Sequence, residues 1–144
     1  MPAPGKSRPR GQSSLAVSTG DGRWSILNAS PDIRGQFQAN AQLHPKGLRQ
    51  SPLCSVLLTN GDIDHIAGLL SLREQTPFAI YATREILNLL AENSIFNAVS
   101  NELVRRHPIR LEQDVKLQKG ITARLFAVPA RCRCFLKPEL STPL

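Results

Sequence analysis

Short runs of hydrophobic residues alternate with stretches of helical spacing along most of this chain. Runs of buried-strand length or alternating polarity predict strands over residues 13–18, 24–28, 53–58, 78–82 and 120–128. The Gly-rich segment 19–22 joins the first two strands, which predicts a β-hairpin. Residues 40–52 are expected to form a loop, because two prolines and a glycine interrupt any regular period there.

Helices are predicted where apolar residues recur three or four positions apart behind a capping residue. Ser30 before Pro31 predicts the start of a short helical stretch. Asp64 is expected to cap a second helix and Thr83 a third. The apolar faces of these two helices contain Ile66, Leu69, Leu70 and Leu72, and Ile86, Leu87, Leu89 and Leu90. A further short helix is predicted over residues 95–104.

The order of these elements predicts an α/β fold, because strands and helices alternate along the chain. The strand–helix–strand unit from Val56 to Tyr81 is compatible with a crossover between parallel strands. One folded domain is expected over residues 13–129 of the 144-residue chain. Residues 1–12 are rich in Pro, Gly, Lys and Arg and are expected to form a disordered basic tail. Residues 130–144 lack regular periodicity and are expected to form a divergent C-terminal tail outside the domain.

The net charge of +7 invites a nucleic-acid interpretation, but its distribution argues against one. Both tails carry an excess of basic residues, whereas the predicted domain is close to balanced. Its densest basic cluster is Arg105, Arg106 and Arg110, and no RNA-binding aromatic motif surrounds it. We therefore expect no nucleic-acid partner.

Two further protein classes are excluded by composition. No apolar run approaches the roughly 18 to 20 residues that span a bilayer, and no secretory signal is visible, so we expect no membrane insertion and a cytoplasmic protein. The three cysteines have no regular spacing, which argues against a disulfide scaffold. Cys132 and Cys134 are too close together for a zinc knuckle, and Cys54 is expected to be a small core residue.

The polar loop after the 53–58 strand is the segment richest in potential chemistry. Ligands gather beyond the carboxyl ends of strands in α/β sheets, and Asn60, Asp62, Asp64 and His65 follow this strand. Carboxylate oxygens and an imidazole nitrogen suit zinc, manganese or non-haem iron. A purely structural alternative remains open, with Asp64 as a helix cap and Asp62 as a turn residue. His44 and His107 are expected in unrelated loops and receive no role.

Several motifs make the chain resemble the PqqB family, which acts in synthesis of coenzyme PQQ (pyrroloquinoline quinone). The resemblance covers about residues 12–129 and rests most specifically on Asn-Ala-Ser-Pro-Asp-Ile-Arg at 28–34 and on Asp-His-Ile-Ala-Gly-Leu-Leu-Ser-Leu-Arg-Glu at 64–74. It implies the N-terminal half of an αββα sandwich of the metallo-β-lactamase superfamily. It also implies that Asp64 and His65 match the last two residues of the superfamily's His-x-His-x-Asp-His motif. Asn60 and Asp62 stand where its two histidines would be.

The resemblance implies a place in PQQ biosynthesis with two alternative activities. One is an iron-dependent hydroxylation of the tyrosine in the precursor peptide, with Asp64 and His65 as ligands of iron or zinc and Asp62 as a third candidate. The other is a non-catalytic carrier that moves PQQ or its precursor toward the periplasm. In a carrier, Arg34, Arg73 or the Arg105–Arg106 pair would attract the carboxylates of PQQ.

The chain also departs from the family, which usually has a Cys-x-Cys-x-x-Cys zinc knuckle near its start and continues well beyond the position of Val128–Pro129. We therefore expect a truncated or frame-shifted copy, and an inactive fragment is a third functional alternative. Half a sandwich leaves one sheet face without its partner. Losing ~1,000 Å² of apolar burial costs on the order of 25 kcal/mol, against a net stability of about 5 to 15 kcal/mol for whole domains. The isolated chain is accordingly expected to be marginally stable.

Overall fold

The computed structural model describes residues 11–48, 50–72 and 76–129. Most of the predicted basic tail, all of residues 130–144 with Cys132 and Cys134, and the candidate anion-binding residue Arg73 lie outside the described residues. None of the described helices is both long enough and apolar enough to cross a lipid bilayer.

A five-stranded sheet with the order β1-β2-β3-β4-β5 forms the centre of the described structure. Its strands are β1 Leu15–Val17, β2 Trp24–Leu27, β3 Leu53–Leu57, β4 Phe78–Thr83 and β5 Val104–Ile109. The β1–β2 pair is the antiparallel hairpin that the sequence predicts, and the remaining neighbours are parallel. The parallel pairing of Val56 with Ile80 confirms the predicted crossover. The fold class is therefore α/β, as expected.

Helical segments cover one face of this sheet. The α-helices are α1 Ile33–Ala39, α2 Ile63–Ile66 and α3 Arg84–Glu92, and 3-10 turns cover Ala41–Leu43, Ala67–Ser71 and Ser94–Ala98. Alternate residues of the strands point toward these helices, because strand side chains alternate between the two faces. The resulting core includes Ile26, Val56, Leu58, Ile80 and Ala82 from the sheet region, and Ile33, Ile66, Leu69, Ile86 and Leu90 from the helices.

A two-stranded hairpin packs on the opposite face of the sheet. It consists of β6 Asp114–Gln118 and β7 Ile121–Arg124, and Leu117 packs with Leu57 and Ile109. The described structure thus has a helical layer, a central sheet and a small hairpin on the second face. This arrangement corresponds to part of an αββα sandwich.

Small polar side chains line the contact between the sheet and this hairpin. The Ser55 hydroxyl donates to Ser25 Oγ (2.7 Å), and the Ser25 hydroxyl donates to Gln118 Oε1 (3.0 Å). The Cys54 thiol also donates to Gln118 Oε1, at 2.6 Å, and Ser25 and Ser55 are completely buried. Cys54 therefore belongs to a polar network, and the prediction of a simple core residue is incomplete.

Several predicted elements differ from the structure. Residues 104–109 form β5, whereas the predicted helix over 95–104 shrinks to the 3-10 turn Ser94–Ala98. The strand β6 has no counterpart in the prediction, and the predicted loop over 40–52 contains the 3-10 turn Ala41–Leu43. Pairing with β4 supplies the backbone hydrogen bonds that make β5 a strand despite its charged residues and proline.

Candidate metal site

The predicted metal-binding loop leaves the sheet at the carboxyl end of β3 and leads into α2. We call residues 59–65 the metal loop. The backbone N–H of Asp62 donates to Asn60 Oδ1 at 3.0 Å, which forms a side-chain-stabilised turn. The carbonyl oxygen of Asp62 then accepts the N–H groups of His65 and Ile66, at 2.9 and 3.1 Å. These bonds fold the loop back so that His65 comes near Asp62.

Three of the predicted residues converge in the metal loop. Potential ligand atoms of Asp62, Asp64 and His65 all lie within 4.8 Å of one another. The Nδ1 atom of His65 lies 2.9 Å from Asp64 Oδ1, within hydrogen-bond distance. The His65 side chain is 19% exposed and that of Asp64 is 55% exposed, so the cluster is open to solvent on one side. A ligand can therefore reach it.

The cluster fits a divalent cation by chemistry and by size. Zinc–nitrogen and zinc–oxygen bonds are about 2.0 to 2.2 Å long, so two ligands on one ion are separated by at most about 4.4 Å. The candidate ligand atoms lie within 4.8 Å of one another, which is close to that upper bound. Two carboxylates also place negative charge around the imidazole, which a divalent cation would neutralise.

The purely structural roles predicted for Asp64, as a helix cap, and for Asp62, as a turn residue, can be compared with the structure. The N-cap of α2 is Asp62, and Asp64 lies in the first helical turn, so the prediction that Asp64 caps the helix is wrong. Asp62 makes no side-chain capping hydrogen bond. The carboxamide of Asn60 shapes the turn through the Asp62 N–H.

The segment after β2 contacts both ends of the metal loop. Asn28 Oδ1 accepts hydrogen bonds from the backbone N–H and the hydroxyl of Thr59, at 2.9 and 3.0 Å. The next residue, Ala29, donates its N–H to the carbonyl oxygen of His65 at 2.7 Å. From the sequence, Asn28 was expected at the end of a strand and in the motif at 28–34, and no contact with the loop was assigned to it. The Asn-Ala-Ser-Pro motif was the available signal.

A hydrogen-bond network continues from this segment toward the start of the described chain. The buried Ser30 hydroxyl donates to Asp32 Oδ1 at 2.5 Å, and the Gln12 N–H donates to Asp32 Oδ2 at 3.0 Å. These bonds, the Ser30 bond first, lower the pKa of Asp32 below its ordinary value. Gln36 Nε2 donates to the Gln12 carbonyl at 3.0 Å. Asp32 is thus an anchor for the residues that precede β1.

The predicted arginine pair does not form one anion site. Arg105 and Arg106 are neighbours in β5, so their side chains leave opposite faces of the sheet. Arg105 is exposed, whereas Arg106 is half-buried and its Nη2 donates to the carbonyl of Phe96 at 3.5 Å. Arg34 is exposed on α1.

The two other histidines lie away from the cluster. His107 belongs to β5, contrary to the predicted loop, and its ring stacks on Tyr81 with a centroid distance of 5.1 Å. His44 follows the 3-10 turn Ala41–Leu43, and its Nε2 lies 3.0 Å from the carbonyl oxygen of Gln38.

Comparison with known proteins identifies the family. The model of the Beta-lactamase superfamily domain matches residues 23–139. Coenzyme PQQ synthesis protein B of Ruegeria pomeroyi is 58% identical over 94% of this chain and 46% of its own length. The protein of the same name from Methylorubrum extorquens is 51% identical over 90% of this chain and 44% of its length. The chain thus spans slightly less than half the length of these relatives.

A solved structure supports the same relationship. The 1.98 Å crystal structure of Zn²⁺-bound PqqB from Methylobacterium extorquens is 53% identical, with a TM-score of 0.82 over 85% of this chain and 44% of the other. Both the predicted family and the predicted half-sandwich are confirmed. The chain belongs to the β-lactamase superfamily and is a homologue of PqqB that corresponds to the N-terminal portion of that fold.

Proposed function

We propose that this chain acts in PQQ biosynthesis, in the cytoplasm, as the metal-binding part of an enzyme that hydroxylates the tyrosine of the precursor peptide. The observation that carries the proposal is the convergence of Asp62, Asp64 and His65 within 4.8 Å at the carboxyl end of β3. Homology with PqqB supports the pathway. The whole activity would also need groups supplied from outside the described residues.

The roles of the three residues follow from their donor atoms. Asp62 and Asp64 would each offer a carboxylate oxygen and His65 an imidazole nitrogen to iron or zinc. Three protein ligands leave coordination positions open for substrate. When bound, such a metal polarises a substrate oxygen and, if it is iron, activates molecular oxygen. Hydroxylation would replace one aromatic hydrogen of tyrosine with a hydroxyl group whose oxygen comes from dioxygen. An external two-electron reductant, with two protons, would reduce the second oxygen atom to water.

The choice between iron and zinc bears directly on the reaction. Zinc has no redox chemistry, so it would support only polarisation of substrate. The M. extorquens PqqB structure contains bound Zn²⁺, which supports a divalent-metal site in that relative. Hydroxylation by this chain would need iron, and the donor set of two carboxylates and one imidazole accommodates either metal.

The test is anaerobic titration of Fe²⁺ and, separately, Zn²⁺ into the full chain and the His65→Ala variant. We expect one ion per wild-type chain and loss of that ion in His65→Ala. His107→Ala is the matched control, because His107 stacks on Tyr81 in β5 and should leave the stoichiometry unchanged. Unchanged stoichiometry in His65→Ala would exclude His65 from the site.

Activity is measured next, with Fe²⁺, dioxygen and a reductant acting on the tyrosine-containing precursor peptide. Gain of one oxygen atom, detected by mass spectrometry and absent with His65→Ala, supports hydroxylation. Tight binding of PQQ to the metal-free chain, with no change in peptide mass, would instead favour the carrier alternative. If the chain binds neither a metal ion nor PQQ, the result favours the inactive-fragment alternative.

A further inference from the structure

Two consecutive residues after β2 hold the two ends of the metal loop. Asn28 accepts both hydrogen bonds from Thr59, the first residue of the loop. Ala29 donates to the carbonyl of His65, the last residue of the loop, and its own carbonyl accepts the N–H of Gly68 at 2.8 Å. The segment therefore fixes the loop where it leaves β3 and again where it enters the helical turns.

The conformation of Asn28 places its side chain for this contact. Its φ of 61° lies in the left-handed region, which asparagine adopts more readily than most residues. Its backbone N–H donates to the carbonyl of Leu57 at 2.8 Å, so the residue remains attached to the end of β3. Asn28 is only 9% exposed, which shields its two hydrogen bonds to Thr59 from competition with water.

The ligand cluster depends on this anchoring because its own contacts are local. Within the metal loop, the turn at Asn60 and the bonds to the Asp62 carbonyl set the shape of the loop. Those bonds do not fix the loop relative to the sheet. The contacts from Asn28 and Ala29 add such a connection beside the packing of Ile66 in the core, and the Asn28–Thr59 contact spans 31 positions of sequence.

We propose that Asn28 is a positioning residue of the metal loop, which holds Asp62, Asp64 and His65 at ligand distance by accepting both hydrogen bonds from Thr59. This proposal rests on the proposed metal binding. Removal of partners that are hydrogen-bonded directly to metal ligands typically lowers metal affinity about 10- to 100-fold. Asn28 acts on the ligands through Thr59, so we expect an effect at the lower end of that range when the Asn28 carboxamide is removed.

The principal variant is Asn28→Gly. Glycine adopts a positive φ without strain, so this change removes the two hydrogen bonds and preserves the backbone conformation. Asn28→Asp is the rescue variant, because a carboxylate oxygen can accept the same two bonds. Ser14→Ala is the matched control: the Ser14 hydroxyl contacts the neighbouring Ser30 at 3.0 Å, outside the metal loop.

The assay is titration of Co²⁺ into the full metal-free chain, which yields Kd and a visible spectrum that reports coordination geometry. We expect Asn28→Gly to raise Kd about 10-fold or more and to alter the spectrum. Asn28→Asp and Ser14→Ala should retain Kd near the wild-type value. A purely structural role for Asn28 would lower the thermal stability of the metal-free chain without changing Kd or the spectrum.

The outcomes separate this proposal from the proposed function. Wild-type binding that His65→Ala abolishes, together with an unchanged Kd in Asn28→Gly, overturns the positioning role and leaves the metal site intact. Absence of Co²⁺ binding by the wild-type chain overturns both. If Asn28→Gly does not fold, Thr59→Val is measured instead, since it removes the hydroxyl donor alone. A several-fold increase in its Kd supports the proposal, and an unchanged Kd overturns it.

Discussion

Among the glycines that the structure describes, Gly68 is the one where an added methyl group would make the shortest contact. A Cβ atom at this residue would lie 2.1 Å from the carbonyl oxygen of Ser30 and 2.8 Å from the carbonyl carbon and oxygen of Ala29. These are backbone atoms, so no side-chain rotation relieves the overlap. Gly68→Ala must push the 3-10 turn away from residues 29 and 30 by about 1 Å to reach a normal contact distance.

The expected cost has two parts. Insertion of a methyl group into a packed site typically costs about 1 to 3 kcal/mol. Loss of the 2.8 Å hydrogen bond from the Gly68 N–H to the Ala29 carbonyl adds about 1 kcal/mol. We therefore expect Gly68→Ala to lower the free energy of unfolding by about 2 to 4 kcal/mol, a large fraction of the 5 to 15 kcal/mol typical of domains.

Urea denaturation followed by circular dichroism measures this change. Gly35→Ala is the matched control, because Gly35 lies within α1 and a Cβ there would meet no atom within 4 Å. The same substitution should stabilise that helix by about 0.5 to 1 kcal/mol. Opposite signs at the two glycines support the packing argument. Equal stability of Gly68→Ala and the wild-type chain would refute it.

Two further predictions concern hydrogen-bond networks. The Ser30 hydroxyl lowers the pKa of Asp32. At pH values above the ordinary carboxyl pKa of about 4, the Asp32 carboxylate therefore stabilises the native state. This contribution is lost as the pH falls through the lowered pKa that Asp32 has in the native state. Thermal melts across this acidic range should show a weaker pH dependence for Asp32→Asn, and an identical dependence would contradict the role of Asp32. Gln118→Ala leaves Ser25 and Cys54 without their shared acceptor, so we expect a loss of about 1 to 3 kcal/mol in urea denaturation. It should also give faster reaction of Cys54 with a thiol reagent, whereas unchanged stability and reactivity would show that the hairpin does not depend on this contact.

Local sequence patterns were sufficient for the hairpin, the parallel crossover and the convergence of the three candidate ligands. The cluster was predictable because Asp62, Asp64 and His65 lie within four consecutive positions, where a short turn can bring them together. The β1–β2 hairpin was predictable because residues 19–22 are a strong turn signal between two apolar runs.

Features that depend on distant contacts were missed. In β5, Arg105, Arg106 and Pro108 hide the strand pattern, and pairing with β4 determines the structure. The helix predicted from Ile66 onward is a 3-10 turn from Ala67, where Gly68 packs against the backbone of residues 29 and 30. The contact of Asn28 with the loop was not predicted for the same reason, because its partner Thr59 lies 31 positions away.

The two hydrogen bonds that Thr59 donates to Asn28 would also link binding of a cation to folding of the sheet. A synthetic peptide covering residues 59–72 would contain every candidate ligand and still lack the neighbouring loop that orients them. Occupancy of the cluster would therefore serve as a readout of native structure: the chain should release its ion when β2 separates from β3, even though no ligand belongs to either strand.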